Sequence, residues 1–434
     1  MQGKENTTSK NLIGILKKVW RFFSSIKLAL VLILLICGFS LIGTLVTRIS
    51  VFHSWWFFAA GTLLMINIIV CSLNRWGNLK LSLQGGAVKQ EESFYSSGNY
   101  HTNVSTVYSP SSETSHIPEN ILRKRGYRVR TENRDGNIYI AADKHRHFRL
   151  GTYASHLSLV LFVLAFLLGS YFGFRDKNFV VAEGNTKLIG HNTNLSIQLV
   201  SFVDEYYADN MPKDYRSQVI LYENGQEVRQ TVVRVNHPLT YKGISVYQMF
   251  FGPAIQLQIT ENGNVLYQGN VPLDNLINNQ GLERYVGSVV LPGGINVQVI
   301  SSAINVTDPV IPQGQLAIYM QQNGNQIAAD SVQKGVPRDI NGMEFSYQAD
   351  SKYSGFQISR DPGSNLIWVA AILFILGTMS VLYFPYRQVW ILYQTQSPDS
   401  NRLLIRLGVS KGFNGASELK ILAVEMGKGL QTKG

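Results

Sequence analysis

Four long stretches of the chain carry no charged residue. They lie at 29–46, 51–74, 157–174 and 365–386. Each is close to the roughly 20 residues that a helix needs to cross the hydrocarbon core of a bilayer. The pattern predicts an integral membrane α-helical protein with four transmembrane helices. Their expected bounds are 28–47, 55–74, 150–172 and 365–386.

A different pattern fills the segment 173–364, where short runs such as "AIQLQITENGNVLYQGNVPL" alternate apolar with polar residues. Such alternation predicts strands with one buried face. Asn-Gly pairs, the strongest short signal for a tight hairpin, recur in this segment. They lie at 224–225, 262–263, 323–324 and 341–342. Many short strands with frequent turns predict a large all-β domain that is sandwich- or barrel-like.

The two remaining polar regions, 75–149 and 387–434, have weaker patterns. Residues 85–115 are rich in Ser, Gly and Thr and are expected to be irregular. The following segment, "IPENILRKRGYRVRTENRDGNIYIAADKH", predicts a short helix ending at Gly126 and then two strands, so that 75–149 holds a small α+β module. In the 387–434 tail, "SELKILAVEMGKGL" predicts an amphipathic helix, either folded into a larger element or lying on a surface.

The net charge of +11 is unevenly distributed along the chain. Lys and Arg outnumber Asp and Glu by six to one in 1–27, by twelve to seven in 74–150 and by seven to three in 385–434. In 173–364, thirteen basic residues stand against seventeen acidic ones. The positive-inside rule therefore predicts a multi-pass protein of the cell membrane, with residues 1–27, the small module and the tail in the cytoplasm and the β domain outside it. The basic excess indicates topology and contact with the lipid bilayer, and it does not indicate nucleic acid.

One histidine, His156, lies within the predicted spans. An ionisable side chain in hydrocarbon is costly and suggests a function, and imidazole is a common ligand of iron, zinc and copper. His156 is therefore a candidate metal or cofactor ligand. It lies about 9 Å from the start of its span, toward the cytoplasmic side. Alternatively, His156 forms only hydrogen bonds between packed helices, with Ser155 and Ser158 as polar neighbours. From the residues alone, both interpretations stay open.

Two further histidines are weaker candidates for cofactor binding. His53 precedes the second span beside two tryptophans, where it is either an axial ligand of a flat cofactor or an interfacial residue. His237 lies between Asn and Pro, and a histidine in a turn is the simpler interpretation. His145 and His147, in "DKHRH", fit a basic patch beside the membrane better than a metal site.

Several classes of chemistry lack their signatures. The chain has no H-E-x-x-H, no G-x-S-x-G, no P-loop and no Cys/His cluster with zinc spacing. Its two cysteines, Cys37 and Cys71, fall in predicted spans, so 173–364 can hold no disulfide. The C-x-x-C-H motif for covalent haem attachment is absent. Asp and Glu are missing from all four spans, which argues against ion-coupled transport.

Five segments resemble the ResB family of cytochrome c biogenesis proteins, the CcsB component of the System II haem pathway. In order, they are "SSIKLALVLILLICGFSLIGTLV", "FHSWWFFAAGTLLMINIIVCSLNR", "RLGTYASHLSLVLFVLAFLLGSYFG", "VNHPLTYKGISVYQ" and "DPGSNLIWVAAILFILGTMSVLYFPYRQVW". No single segment identifies the family, but the five together are specific for it and extend over nearly the whole chain. The chain departs from the family at Thr47 and Arg48, where the family often has Pro-Gln.

The resemblance implies a membrane subunit of a System II cytochrome c synthase complex. With a CcsA/ResC-type partner, such a subunit moves haem across the membrane and presents it to apocytochrome c for covalent attachment. His156 matches the histidine that looks like the family's intramembrane haem ligand, and its only metal would be haem iron. The haem b would be non-covalent and shared with the partner, which supplies the opposite axial ligand. The subunit is expected to be non-catalytic, and no residue of it is assigned to catalysis.

Two alternatives remain beside this function. In the first, the chain is a cofactor-free, membrane-anchored scaffold whose extracytoplasmic domain docks a partner, and His156 only packs helices. In the second, it is an electron-transfer subunit. A carrier of the cytochrome b type needs paired intramembrane histidines, and these spans contain one.

Overall fold

The computed structural model describes residues 14–46, 51–209, 211–279, 281–303, 307–397, 400–410 and 413–431. The chain forms two compact units. One is Leu168–Pro362, which we call the β domain, and the other combines the chain before and after it, which we call the helical unit. The predicted segment 1–27 is described from residue 14 onward, and the departure at Thr47 and Arg48 lies outside the described residues.

Eight α-helices occur in the described parts of the chain. They are α1 (14–23), α2 (Ile26–Leu45), α3 (Trp55–Gln84), α4 (Glu92–Ser96), α5 (Ser112–Lys124), α6 (Leu150–Phe172), α7 (Ser364–Tyr383) and α8 (Gly415–Gln431). Four of them, α2, α3, α6 and α7, are long and apolar enough to cross a membrane. Helix α3 starts where the second span was expected to start and continues ten residues beyond the expected end at 74. It ends at Gly85, whose left-handed backbone (φ 98°) caps the helix.

The helical unit contains a five-stranded antiparallel sheet built from two distant parts of the chain. Its strands are β1 (His101–Thr106), β2 (Arg128–Arg134), β3 (Asn137–Lys144), β19 (Arg387–Ser397) and β20 (Ser400–Val409), in the order β1-β20-β19-β3-β2. Helices α5 and α8 pack on the sheet around Leu122, Tyr393 and Leu422, which are fully buried. A second cluster joins Tyr95 of α4 to Leu392 of β19. We call the sheet with these three helices the composite module.

The composite module changes two expectations from the sequence. Residues 85–115 were expected to be irregular, and this is wrong, because α4, β1 and the start of α5 lie there. The predicted helix before Gly126, the two strands after it and the amphipathic helix in the tail are confirmed as α5, β2, β3 and α8. The strands β19 and β20 were not predicted. The tail therefore supplies two of the three inner strands of a sheet whose other strands come from 75–149.

The β domain contains fifteen strands within its described residues. They are β4 (Phe174–Ala182), β5 (Thr186–Leu188), β6 (Leu195–Tyr206), β7 (Pro212–Glu223), β8 (Gln226–Arg234), β9 (Leu239–Tyr241), β10 (Ile244–Glu261), β11 (Asn264–Pro272), β12 (Asn275–Asn279), β13 (Leu282–Leu291), β14 (Ile295–Ser302), β15 (Gln315–Gln322), β16 (Asn325–Gln333), β17 (Arg338–Ile340) and β18 (Met343–Arg360). The predicted fold class is confirmed: four apolar helices of membrane-spanning length accompany a large sheet-rich domain.

All four predicted Asn-Gly turns join antiparallel neighbours. They connect β7 to β8, β10 to β11, β15 to β16 and β17 to β18. Both residues of each pair have a positive φ, for example 52° at Asn224 and 79° at Gly225. This backbone is that of a type I′ turn, whose twist matches that of the flanking strands, so the hairpin prediction is confirmed.

The long strands β10 and β18 pair along their whole length and serve two hydrophobic cores. One core surrounds Leu257 and Phe345, with side chains from β11 and β13–β16. The other surrounds Val246 and Phe356, with side chains from β4 and β6–β8. The register of the pair shifts between Gln248 and Phe250, and a β-bulge of this kind bends a strand. The domain thus contains two hydrophobic cores that share one central pair of strands.

Candidate functional site

The ring of His156 contacts α3. Its Nδ1 atom lies 3.0 Å from Oγ of Ser72, and the imidazole is half-buried. Both residues lie in helices of membrane-spanning length, in the middle third of α3 and the first third of α6. The helices therefore bring an imidazole and a hydroxyl together in an otherwise apolar setting, and this pair is the candidate functional site.

The hydroxyl of Ser72 lies within hydrogen-bond distance of two groups, the Nδ1 atom of His156 and the carbonyl oxygen of Ile68, which is 2.7 Å away. A hydroxyl has one hydrogen, and when Ser72 donates it to Ile68, the hydroxyl accepts from a protonated Nδ1 and the lone pair of the ring is on Nε2. No partner for Nε2 occurs among the described residues. A hydrogen bond to one ring nitrogen that leaves the other open as a base is the usual arrangement of a metal-ligating histidine.

The packing of α6 against α7 uses other groups. Ser155 Oγ lies 3.3 Å from Thr378 Oγ1, and buried Ser158 donates to the carbonyl oxygen of Ser155 at 2.6 Å. The backbones approach so closely that a Cβ atom added to Gly377 would lie 2.7 Å from Ser155 Oγ. Small residues at such contacts are typical of membrane helix pairs. Ser155 thus contacts α7, the buried hydroxyl of Ser158 is satisfied within α6, and His156 contacts α3.

A further polar contact holds α3 against the turn between α1 and α2. Asn67 is 1% exposed, and its amide donates to the carbonyl oxygens of Phe23, at 2.7 Å, and Ser25, at 3.2 Å. Both carbonyls lie where the chain breaks between two helices, and the carbonyl of Ser25 also accepts the N–H of Ala29 at 3.3 Å. Asn67 therefore supplies a donor to backbone groups at a helix break, where an unsatisfied carbonyl would be costly in an apolar environment.

The other candidate histidines lie apart from this pair. His53 is exposed in a short 3-10 turn before α3, and Ser72 lies 17 residues after the start of that helix, or roughly 26 Å at 1.5 Å per residue. His237 is exposed in the turn between β8 and β9 in the β domain, where it bridges to Arg234. Within the described residues there is no group of three or more His, Cys, Asp or Glu side chains that could hold a metal ion. Among the three candidate histidines, His156 is therefore the one whose ring lies in a helix of membrane-spanning length.

The histidines beside the membrane helices have structural contacts. Nδ1 of His145 lies 3.2 Å from the carbonyl oxygen of Pro385, and the ring packs edge-on against Phe148 and Phe384. Burial lowers the pKa of His145, and the carbonyl contact only partly opposes this. Arg146 donates from Nε to His147 at 3.1 Å. His145 is thus packed against its neighbours, and the exposed His147 accepts a hydrogen bond from the adjacent arginine.

Ser72 is the residue of this site that sequence reasoning missed. The signal was present, because Ser72 lies near the end of the second predicted span and His156 near the start of the third. Successive antiparallel helices bring those two ends to the same level, so a hydroxyl there was a candidate partner for the histidine. The sequence does not reveal which helix face each residue occupies in the packed structure.

These features define a class: a membrane protein with four candidate spans, a large β domain and a half-buried histidine on one of the apolar helices. The model of the ResB-like family matches residues 47–414, and the chain belongs to this family.

The chain is also similar to individual cytochrome c biogenesis proteins. It is 27% identical to CcsB of Synechococcus sp. (strain JA-2-3B'a(2-13)) over 374 residues, covering 80% of this chain and 73% of that protein. It is 26% identical to CcsB of Prochlorococcus marinus (strain MIT 9301), covering 85% and 83%. It is 20% identical to ResB of Bacillus subtilis (strain 168), covering 89% and 83%. These similarities confirm the resemblance identified in the sequence.

Proposed function

We propose that this chain is the membrane subunit of a System II cytochrome c synthase complex. With a CcsA/ResC-type partner it moves haem across the membrane and presents it to apocytochrome c for covalent attachment. Haem is the cargo, and its iron is the group that His156 would bind. We assign no residue of this chain to the attachment reaction, so the subunit positions haem and the chemistry lies with the complex.

The observation that carries the proposal is the Ser72–His156 pair. An imidazole that is held through Nδ1 by Ser72 and whose Nε2 has no partner among the described residues fits the requirement for an axial ligand of haem iron. One such nitrogen supplies half of a bis-histidine site, so the opposite ligand comes from the partner. Bound haem would bring a polarisable iron centre and the reactive vinyl groups, and this chain's residues would bind and orient it.

The topology is part of the proposal. The composite module collects the basic segments around 75–149 and 387–431, and the β domain is the mildly acidic region. The positive-inside rule then puts the module in the cytoplasm, where haem is made, and the β domain outside. Cysteine labelling tests this in a variant whose Cys37 and Cys71 are replaced by Ala. An impermeant thiol reagent added to intact cells should label E227C and should not label E132C.

Spectroscopy of the purified complex tests the ligand assignment. The chain is co-expressed with a tryptophan-rich CcsA/ResC-type partner, purified in detergent and reduced. We expect the visible spectrum of a bis-imidazole haem, and we expect His156→Ala to lose or weaken it. His237→Ala is the matched control and should leave it unchanged. Unchanged haem content in His156→Ala would contradict the assignment and favour the cofactor-free scaffold. Haem that is reduced by quinol with turnover would favour an electron-transfer subunit.

A further inference from the structure

A cavity of about 580 Å³ lies where α3, α6 and α7 meet the composite module. We call it the arginine cavity, because Arg75 of α3 and Arg149, next to the start of α6, both line it. Aromatic side chains provide much of the remaining wall. They include Phe148, Tyr153, Phe384 and Tyr386. The volume falls in the range of about 300–1,000 Å³ that is common for sites binding small molecules.

The two arginines are cations without a carboxylate partner. Neither forms an ion pair among the described residues, and the charges that act on the buried carboxylate of Asp143 are those of Arg128, Arg130 and His147. Arg149 is held in place: its Nη1 donates to Ser82 Oγ at 2.5 Å, and its guanidinium lies 4.8 Å from the centre of the Tyr386 ring. A fixed guanidinium facing a cavity is prepared to bind an oxyanion with little loss of side-chain entropy.

The cavity adjoins the Ser72–His156 pair on the same two helices. Arg75 comes three residues after Ser72, and Thr152, which also lines the cavity, comes four residues before His156. These spacings put the cavity about one helical turn, or 5.4 Å along the axis, from the imidazole. The rings of Trp76 and Tyr153 meet at 5.4 Å between α3 and α6 at this level.

We propose that Arg75 and Arg149 bind the propionate carboxylates of the haem whose iron is bound by His156. This inference rests on the proposed function. A porphyrin is a flat apolar body with two carboxylates on one edge, and the arginine cavity combines aromatic faces with two guanidiniums one turn from the ligand. Guanidinium groups bind carboxylates through paired, charge-assisted hydrogen bonds. The arginines thus set which way round the macrocycle lies at His156.

The phosphate of a lipid headgroup is the competing ligand for such a pair of arginines, and the position beside His156 favours the carboxylates. The experiment separates the two with haem dimethyl ester, which keeps the iron and the macrocycle but has no free carboxylate. The purified full-length complex, stripped of haem, is titrated with haem and with the ester, and binding is followed by the visible spectrum. Phospholipid phosphorus is measured in the same preparations.

We expect the unaltered complex to bind haem more tightly than the ester. Arg75→Gln and Arg149→Gln should each lower haem affinity about tenfold, as expected for a lost hydrogen bond between charged groups, and leave affinity for the ester unchanged. Lys80→Gln is the matched control, because it removes an exposed cation of α3 outside the cavity and should change neither affinity. Arg149→Lys keeps the charge and should retain part of the preference for haem, which guards against a folding defect in the glutamine variant.

The outcomes separate this inference from the function it rests on. If His156→Ala leaves the spectra of both ligands unchanged, the proposed function fails. If the spectra depend on His156 but the unaltered complex shows no preference for haem over the ester, and the arginine variants show none either, the propionate assignment alone is overturned. If, in addition, the arginine variants contain less bound phospholipid phosphorus than the unaltered complex, the cavity is assigned to a lipid headgroup.

Discussion

The two sheet-bearing regions of this molecule are assembled in opposite ways. The β domain is one continuous segment, and most of its strands pair with their neighbours in sequence through short turns. The composite module pairs strands that precede the β domain in the sequence with strands that follow it. Lys144 pairs with Arg387, and His101 pairs with Arg406. The β domain combines many local hairpins with the long-range pairs β10–β18 and β4–β18, all within one segment, whereas the composite module requires two segments that the whole β domain separates in the sequence.

The difference bears on function, because the candidate site belongs to the helical unit. Ser72 and His156 lie on helices that continue toward the composite module, and residues of β19 and β20 complete the arginine cavity. The tail is therefore part of the structure around the site. We expect changes in the tail to affect haem binding, and changes confined to the core of the β domain to leave it intact. The following predictions test this contrast, from the largest expected effect to the smallest.

The largest effect is expected at a buried ion pair inside the β domain. The carboxylate of Asp308 is fully buried, and Arg284 donates to it at 2.6 and 3.0 Å. Asp308→Ala should cost about 3–5 kcal/mol, because it leaves the charge of Arg284 without its partner. Asp330→Ala, which breaks a more exposed pair with Arg338, should cost less than about 1 kcal/mol. Hydrogen exchange of the full-length protein in detergent should lose protection in β13–β16 and keep it in the composite module.

The same ion pair predicts an acid limit for the β domain. The Arg284 guanidinium holds the pKa of Asp308 well below its ordinary value, helped by the backbone N–H groups of Val310 and Ile311. A carboxyl with a depressed pKa stabilises the fold fully above its ordinary pKa of about 4, and this stability is lost as the pH falls below that. Asp308→Ala should remove this pH dependence, and an unchanged acid transition would contradict the prediction.

The next largest effect is expected in the composite module. Leu422 of α8 is fully buried in the core that it shares with Leu122 of α5. Leu422→Ala should cost about 2–5 kcal/mol, which is the usual range for a buried leucine. Because the module is composite, protection should also fall in α5 and β1, some 300 residues earlier. Val424→Ala, at a position that is 48% exposed, is the control with little expected effect. Loss of protection confined to α8 would show that the two chain segments are independent.

The contrast also explains which parts of the fold the sequence could reveal. Four uncharged stretches identified the helices, and pairs such as Asn224-Gly225 identified hairpins, because both signals are local. The strand β1 was missed, because its partner is β20 and nothing in "HTNVST" indicates that partner. His156 was identifiable because an ionisable side chain in a membrane-spanning helix costs free energy. Ser72 and Arg149 were not identified, because their roles depend on which helix faces meet.

A smaller effect is expected from the group that orients the proposed ligand. Ser72→Ala removes the hydroxyl that contacts Nδ1 of His156 and frees the ring to rotate or change tautomer. Haem affinity should fall about 10–100-fold, the usual cost of losing a group that supports a metal ligand. Ser72→Thr keeps the hydroxyl and should restore the affinity. Ser155→Ala, on the α7 side of α6, should leave it unchanged. Equal affinity in Ser72→Ala would mean that the hydroxyl does not position the imidazole.

The smallest effect is expected at a polar contact between the two chain segments of the composite module. Arg125, at the end of α5, donates to the carboxylate of Glu425 in α8 at 2.8 and 2.6 Å. Both side chains are partly exposed, so a double-mutant cycle with Arg125→Met and Glu425→Gln should give a coupling of about 0.2–1 kcal/mol.

The coupling between Arg125 and Glu425 should depend on pH in a defined direction. The guanidinium lowers the pKa of Glu425, so the contact stabilises the module above the ordinary carboxyl pKa and loses its effect as the pH falls below about 4. High salt should also weaken it. This coupling free energy is informative although it is small, because only a docked tail brings the two side chains together. A coupling of zero at neutral pH and low salt would therefore argue against the docking of α8 on α5, which is one of the contacts that join the two chain segments of the composite module.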